Sequence, residues 1–422
     1  MGKRMGYNRI KQLLTDPVRE ELIKEEKISF EKIINKFPLL KGEPAFDPEL
    51  IKVNIKKLKT IPEIDTGIPC LDKAIKIGLA HIDVTFQGDH PKYGVKSYAQ
   101  NRHDGFPPTI ISAVDALTLW GINDRAKQIF KYYILNFIKE DGTINYYGPS
   151  ISEYGQLLNI SYLLLERAGE ENWWKDCFPK LNKLAFYLYG LWEEAQKEDG
   201  LIEGGPEADE IELYNRTGKY FHNNAWASNG FLKWAEVCEK TGYISETLIL
   251  NFKTAGEKLK KDTLNSIKDI WPSDKKDYRL SSQIEPLKKT KYITETVEGS
   301  YTNYRYWLEL LSSGILPENL ANKVVEARLN FGGQFCGMTR FSNHLDDWPL
   351  TDYLYGLWNL GRKNDFLISL YGHIFYHQAE EHLTAYEQVS FPPGKELAPY
   401  CLPCQLVAAR AGRLLNKKQD AK

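Results

Sequence analysis

The chain contains no run of about eighteen consecutive apolar residues, so no membrane-spanning helix is expected. Its start, Met1-Gly2-Lys3-Arg4 followed by Asn8-Arg9-Ile10-Lys11, lacks the apolar stretch of a secretion signal. Position 6 is Gly where a myristoylation signal needs Ser or Thr. An excess of one charge is also missing. Lys and Arg number 55 against 56 Asp and Glu, a formal net charge of -1, which gives no electrostatic reason to expect nucleic acid or an anionic membrane as partner. Cysteine is sparse: Cys70, Cys177, Cys238, Cys336, Cys401 and Cys404 are scattered, as in a cytoplasmic protein with reduced thiols. Cys401-Leu402-Pro403-Cys404 has redox or zinc spacing, but no second pair and no βαβ pattern accompany it, so it reads as structural. Val/Ile alternation long enough for a buried sheet is absent, and so is any low-complexity linker.

The 422 residues that remain to be explained are 42% hydrophobic and 26% charged, the balance of a folded globular protein with one large core or two domains. Aromatics reach 13%, with 10 Trp and 25 Tyr, which suits either large core side chains or a cleft lined with stacking faces. Apolar residues recur at helical spacing over 70–87, 109–120, 126–138, 153–167, 174–196, 222–240, 246–270, 300–313, 319–331, 350–360, 364–379 and 402–416. Several segments end in a glycine turn: Trp120-Gly121, Ala168-Gly169, Thr241-Gly242, Ser313-Gly314 and Leu360-Gly361. These turns recur roughly every 50 to 70 residues, as repeated helical hairpins would require. The pattern predicts an all-α fold, an (α/α)6 barrel of six helical hairpins over residues 61–422, with an open solenoid of helix pairs as the competitor. Residues 1–60, rich in Lys, Glu and Ile, read as an N-terminal helical arm packed on the barrel and available for a homo-oligomer contact.

In a helical barrel the loops carry the chemistry. Four loops are polar and aromatic together. The first is Tyr98-Ala99-Gln100-Asn101-Arg102-His103-Asp104-Gly105-Phe106-Pro107-Pro108, where Arg102 and Asp104 offer a forked donor and a two-oxygen acceptor to adjacent hydroxyls, or pair with each other. The second places Glu203, Glu207, Asp209 and Glu210 among glycines, followed by Tyr220-Phe221-His222-Asn223-Asn224-Ala225-Trp226. One of these carboxyls becomes a general acid if an apolar wall raises its pKa; otherwise the run is a solvated turn. The third is Thr384-Ala385-Tyr386-Glu387-Gln388, in which Tyr386 and Gln388 flank and orient Glu387. The fourth, Asn343-His344-Leu345-Asp346-Asp347-Trp348, offers an acidic pair for a metal, for sugar hydroxyls or for capping the next helix.

The order of these loops resembles the six-hairpin glycosidases, most nearly the glucoamylase-type inverting glycoside hydrolases. In that family an early R-x-D-G-P loop holds the sugar, a mid-chain loop carries the acid and a late A-E-Q loop supplies the base. Here Arg102-His103-Asp104-Gly105-Phe106-Pro107, then Pro206-Glu207, then Ala385-Tyr386-Glu387-Gln388 correspond, over roughly residues 70–415. The resemblance implies Glu207 as the acid, with Glu203 and Asp209 left open, and Glu387 as the base. An inverting enzyme holds such carboxyls about 6.5–9.5 Å apart to admit water. Arg102, His103 and Asp104 would fix sugar hydroxyls, and Tyr98, Trp226 and Trp348 would stack. Asp209, Asn224, Asp347 and Tyr386 complete the candidate substrate contacts. The implied partner is a carbohydrate, an oligosaccharide or glycoside rather than polymeric starch, and the reaction needs neither metal nor cofactor. Three other readings stay open: a phosphorylase, a non-catalytic carbohydrate-binding protein, and a sugar epimerase or isomerase that uses His222, His344, His373, His377 or His382. His373 and His377, four apart, suit either a shared core face or a metal pair.

Overall fold

The computed structural model describes residues 61–100, 103–148, 150–169, 172–207, 217–271, 300, 305–379, 383–390 and 395–416. The proposed arm over 1–60, and Arg102, Asp209 and His382, lie outside the described residues. The helices are α1 (Pro69–Thr85), α2 (Pro107–Leu119), α3 (Asn123–Phe137), α4 (Ile151–Ala168), α5 (Asn172–Ala195), α6 (Phe221–Thr241) and α7 (Glu246–Ile270). They continue as α8 (Trp307–Ser312), α9 (Glu318–Asn330), α10 (Leu350–Asn359), α11 (Lys363–Gly372), α12 (Leu402–Gln405) and α13 (Val407–Gly412). None is long and apolar enough to cross a membrane.

Contacts between elements settle the choice between ring and solenoid. α2 packs on α4, α4 on α6, α6 on α8, α8 on α10, α10 on α13, and α13 returns to α2. That closed circuit is an inner ring, and each hairpin partner stands outside it. The sixth hairpin joins the two ends of the described chain, since α1 packs on α13. Burial follows the layers. Residues Pro107 through Thr118 of inner α2 are all buried, as expected of a helix apolar on every side. Outer α7 buries only Ile249, Phe252, Ala255, Gly256, Leu259, Thr263 and Ile267, a single stripe at helical spacing.

Five hairpin turns close as the sequence predicts. Gly121, Gly169, Gly242, Gly314 and Gly361 have φ of 73°, 76°, 69°, 74° and 66°, where a Cβ is unfavourable. A different glycine sets the tightest seam of the ring. A Cβ on Gly155 would lie 2.0 Å from the Trp226 carbonyl oxygen, so α4 and α6 touch backbone to backbone.

Two features depart from the expectation. A four-stranded antiparallel sheet, β1 (Gln334–Phe335), β2 (Met338–Phe341), β3 (His344–Asp346) and β4 (Gln388–Ser390), is built from loops in the order β1-β2-β3-β4. Strands of two to four residues are too short to show an alternation. The segment read as one helix over 364–379 also changes at Gly372, beyond which His373–His377 form a single π-turn. Gly372 lies against the turn between β1 and β2, and a Cβ there would fall 2.0 Å from the Cys336 carbonyl oxygen.

Gly155→Ala is expected to lower stability by about 1–3 kcal/mol through overpacking of the seam. Gly242→Ala, in the left-handed region with nothing within 4 Å of the added Cβ, should cost only the backbone strain, about 1 kcal/mol. Urea unfolding midpoints of the two variants would show the wrong seam assignment if Gly155→Ala matched wild type.

Candidate active site

The six inner helices surround an axial cavity of about 270 Å³. Its lining includes Trp226, Trp348 and Glu309 together with Asp115, Tyr355 and Arg410. Asp115 accepts from Arg410 Nε at 2.9 Å, Arg167 Nη1 at 3.2 Å and the Tyr355 hydroxyl at 3.0 Å. Burial works against that carboxylate, but the two guanidinium groups prevail and hold its pKa below the ordinary value.

The mid-chain loop is drawn onto the ring by the amide-rich start of α6. Asn223 accepts from the Ser152 N–H at 3.0 Å and donates to the Gly205 carbonyl at 2.8 Å. His222 Nε2 donates to the Pro206 carbonyl at 3.0 Å, and its ring stacks on Tyr306 at 4.4 Å. Burial lowers the His222 pKa to about 4, so the ring is neutral at ordinary pH. Asn224 takes the Ile202 N–H at 2.8 Å and donates to the Ile202 and Tyr220 carbonyls. It is fully buried, so the candidate substrate contact at Asn224 is corrected to a loop anchor.

These anchors deliver Glu207 to Arg305. The guanidinium has no exposure and meets three carboxylates: Glu309 at 2.6 Å, Glu153 at 3.0 Å and Glu207 at 2.8 Å. Trp348 lies beneath it, 4.6 Å from ring centroid to guanidinium carbon. Trp226 donates from Nε1 to the Glu309 carbonyl at 2.9 Å. Both tryptophans, the candidate stacking faces, are nearly buried and border the cavity.

Glu387 sits one residue before β4. Tyr93 donates to its Oε1 at 2.7 Å and Tyr98 donates to its Oε2. Burial, then the charges around it, keep the Tyr93 hydroxyl far above its ordinary pKa, so it stays a donor. Tyr98 was expected as a stacking face; its phenol instead grips the carboxylate, with its ring edge-on to Tyr93 at 4.7 Å and to His103 at 5.4 Å. Tyr93, Tyr98, Phe106 and Trp348 share one buried cluster. Trp348 thus touches the Arg305–Glu207 group on one side and belongs to the aromatic box around Glu387 on the other.

The early loop supplies polar groups to the same box. His103, at φ 57°, hydrogen-bonds through Nδ1 to the Tyr146 hydroxyl at 3.0 Å. Asp104 accepts from His90 Nε2 at 2.8 Å and pairs with Lys92 at 3.1 Å. Its partial burial raises the pKa, but His90 and Lys92 outweigh it and hold the carboxyl ionised below the ordinary range. Tyr386 turns away: its phenol bonds Glu396, and burial with that contact pushes it up to about 12.

The acidic pair is corrected by one position. Asp347 is fully buried, with the Thr339 N–H at 2.7 Å and His373 Nδ1 at 2.9 Å, so it is shut off from a substrate. Asp346 is the residue beside Glu387. The register pairs Asp346 with Gln388, and Gln388 Nε2 donates to Asp346 Oδ2 at 3.2 Å. Burial first, and the charge of Glu387 second, push the Asp346 carboxyl well above the usual carboxylate range. Sequence reasoning missed Tyr93, Arg305 and the role of Asp346; Arg305 and Tyr93 gave no local signal. Of the two thiols beside this strand, Cys404 is buried and its pKa raised, as is that of Cys401, so both remain protonated.

No family model matches the chain, and no curated protein is similar to it in sequence. Solved structures do resemble it. A wild-type glycosidase superposes with a TM-score of 0.57 at 10% identity, covering 84% of this chain and 99% of that one. A variant glycosidase in complex with glucose gives the same TM-score, identity and coverage. A rhamnosidase from Klebsiella oxytoca with rhamnose bound gives 0.54 at 9% identity, over 84% of this chain and 65% of that one. The shared property is the fold. It is an α/α toroid, and the cavity bordered by Trp226 and Trp348 lies within its inner ring.

The raised Asp346 pKa sets the sign of a pH effect. In the folded state Asp346 keeps a proton that the unfolded chain releases above about pH 4. Its contribution is complete below that pH and is lost as pH rises toward the folded pKa. Asp346→Asn cannot ionise, so its melting temperature relative to wild type should climb between pH 4 and pH 8. A difference that is flat or falls with pH would place the proton elsewhere.

Proposed function

We propose that this chain is a glycoside hydrolase of the inverting, glucoamylase-like type, with Glu207 as general acid and Glu387 as general base. The reading rests above all on Trp348, which joins the group around Glu207 to the box around Glu387 beside the axial cavity. Two carboxyl groups from distant loops on one rim are what glycosidic cleavage needs. One protonates the leaving oxygen, and the other activates water at the anomeric carbon.

The environments of the two carboxyls differ. Around Arg305 one positive charge serves three carboxyl groups. Glu153 and Glu309 take hydrogen bonds from Nη2 and Nε. Glu207 is the most exposed of the three at 12%, against 1% and 2%, and is the one able to pass a proton to a ligand. Glu387 accepts a phenolic hydrogen bond on each oxygen, the arrangement of a carboxylate that is to receive a proton from water.

The substrate would be an oligosaccharide or small glycoside. Its terminal sugar stacks on Trp348 and Trp226, and its hydroxyls meet His103 and Asp104, with Arg102 and Asp209 as further contacts. The solved neighbours bearing glucose and rhamnose support a carbohydrate as ligand. The absence of an excess of basic charge favours this over nucleic acid, and reduced, scattered cysteines favour a cytoplasmic setting. The histidines of an epimerase reading are poorly placed: His222, His373 and His377 are fully buried, each in contact with a neighbour from the protein.

Aryl glycosides and oligosaccharides, assayed with and without phosphate, test the proposal. Release of a reducing sugar without phosphate is expected, with the first-formed anomer inverted in a proton NMR time course. Glu207→Gln and Glu387→Gln should each lower kcat by about 10² to 10⁴, with the near-ultraviolet circular dichroism unchanged. Turnover near wild type in either variant removes that residue from the mechanism, and strict phosphate dependence makes the protein a phosphorylase.

A further inference from the structure

Behind the Glu387 strand lies a second cluster that the proposed reaction does not use. Asp347, at the end of β3, faces His373 and His377 from the π-turn after α11, and one ligand atom from each lies within 4.8 Å of the others. All three side chains are completely buried. Asp347 Oδ2 stands 2.9 Å from His373 Nδ1 and 3.5 Å from His377 Nδ1. The two imidazoles stack at 5.3 Å with 19° between their planes.

Proton placement leaves this cluster incomplete. His377 Nε2 is 2.5 Å from the Tyr386 carbonyl oxygen, so that nitrogen must carry the proton. Its Nδ1 faces Asp347 Oδ2 at 3.5 Å, deep in the protein and without a hydrogen-bond partner. A buried imidazole nitrogen and carboxylate oxygen set against each other without a hydrogen bond are costly unless a cation lies between them. A second orphan points the same way. Gln378 Oε1 is buried without a partner, while its Nε2 lies 3.3 Å from His373 Nε2. Amide oxygen and nitrogen are interchangeable by a flip. Turned over, Gln378 would accept from His373 Nε2–H and free Nδ1 as a ligand.

We propose that Asp347, His373 and His377 bind a divalent transition-metal ion, zinc in first place, as a buried brace behind Glu387. Zinc takes imidazole nitrogen at about 2.0–2.1 Å and carboxylate oxygen at about 2.0–2.2 Å in a tetrahedron, which sets ligand atoms roughly 3.3 Å apart. The separations of 2.9 and 3.5 Å bracket that spacing. Both histidines would then donate their far nitrogens to an oxygen, His377 to Tyr386 and His373 to Gln378, the outer contacts that orient metal-bound imidazoles. Water would complete the tetrahedron around the three protein ligands. The ion would tie the backbone of Tyr386, immediately before Glu387, to Asp347, the residue that follows β3.

The experiment uses the untagged full chain, refolded from denaturant in the presence of zinc or of EDTA and then freed of loose metal by gel filtration. About one zinc per chain by mass spectrometry of the metals, with a melting temperature several degrees above the EDTA-refolded protein, is expected. Cobalt in place of zinc should give the visible absorption of a tetrahedral site. His377→Gln and His373→Asn should each abolish the stoichiometric metal. Equal metal in these variants and wild type would mean surface binding and overturn the proposal. So would wild type that holds no zinc, cobalt, nickel or manganese and melts at one temperature under all conditions. If both variants fail to fold, the wild-type stoichiometry and melting shift decide alone. None of these readouts depends on glycosidase activity.

Discussion

A guanidinium with no access to water constrains the centre of this molecule. Leaving the buried Arg305 charge unpaired would cost several kcal/mol, and breaking such a group by removing a partner typically costs about 3–5 kcal/mol. Its three partners come from separate parts of the chain: Glu153 from the first turn of α4, Glu309 from α8 and Glu207 from the loop after α5. Satisfying the one cation therefore fixes the spacing of two inner helices and the end of a loop together. Trp348, stacked on the same guanidinium, carries the constraint on to the segment before α10. Ring closure and site assembly are in this sense one requirement.

The loops are held by polar groups that look functional and are architectural. Asn223 and Asn224 bind backbone, as a missing pair of strand neighbours would. His222 and His377 each donate to a carbonyl just before a candidate carboxylate, Pro206 before Glu207 and Tyr386 before Glu387. A loop without regular structure needs such side-chain donors and acceptors if its backbone is to be buried. The rigidity they supply is what lets two half-buried carboxyls keep fixed positions on loops.

The toroid was legible in the sequence because its signals are local. A glycine at positive φ ends a helix wherever the chain must turn, and the five hairpin glycines do this whatever packs nearby. For the candidate site, the sequence could nominate residues only where loops mix rings with acids, at Glu207, Glu387, His103 and Trp348. Residues whose role depends on a distant partner were invisible. Arg305 reads as one charge in an apolar helix, and Tyr93 as one of 25 tyrosines. Asp346 ends a three-residue strand and Asp347 is the next residue; neighbours in extended chain face opposite ways, so sequence offers no means of choosing between them. Asn224 was misread because buried amides that cap a loop and exposed amides that bind sugars have the same composition.

Asp346 and Glu387 show how the protein can keep charge where a reaction would use it. Two carboxyl groups within Coulombic reach resist ionising together, and the environment decides which gives way. Asp346 is 2% exposed, keeps one oxygen without a partner and receives only Gln388 and backbone from its surroundings. Glu387 is half-buried and receives a phenol on each oxygen. Desolvation and hydrogen bonding thus act in the same direction, assigning the proton to Asp346 and the negative charge to Glu387. A neutral acid behind the carboxylate leaves its field undiminished toward the open side, where attacking water would stand. A metal cation on Asp347, one residue further along, would reinforce the same division by fixing the strand without itself facing that water.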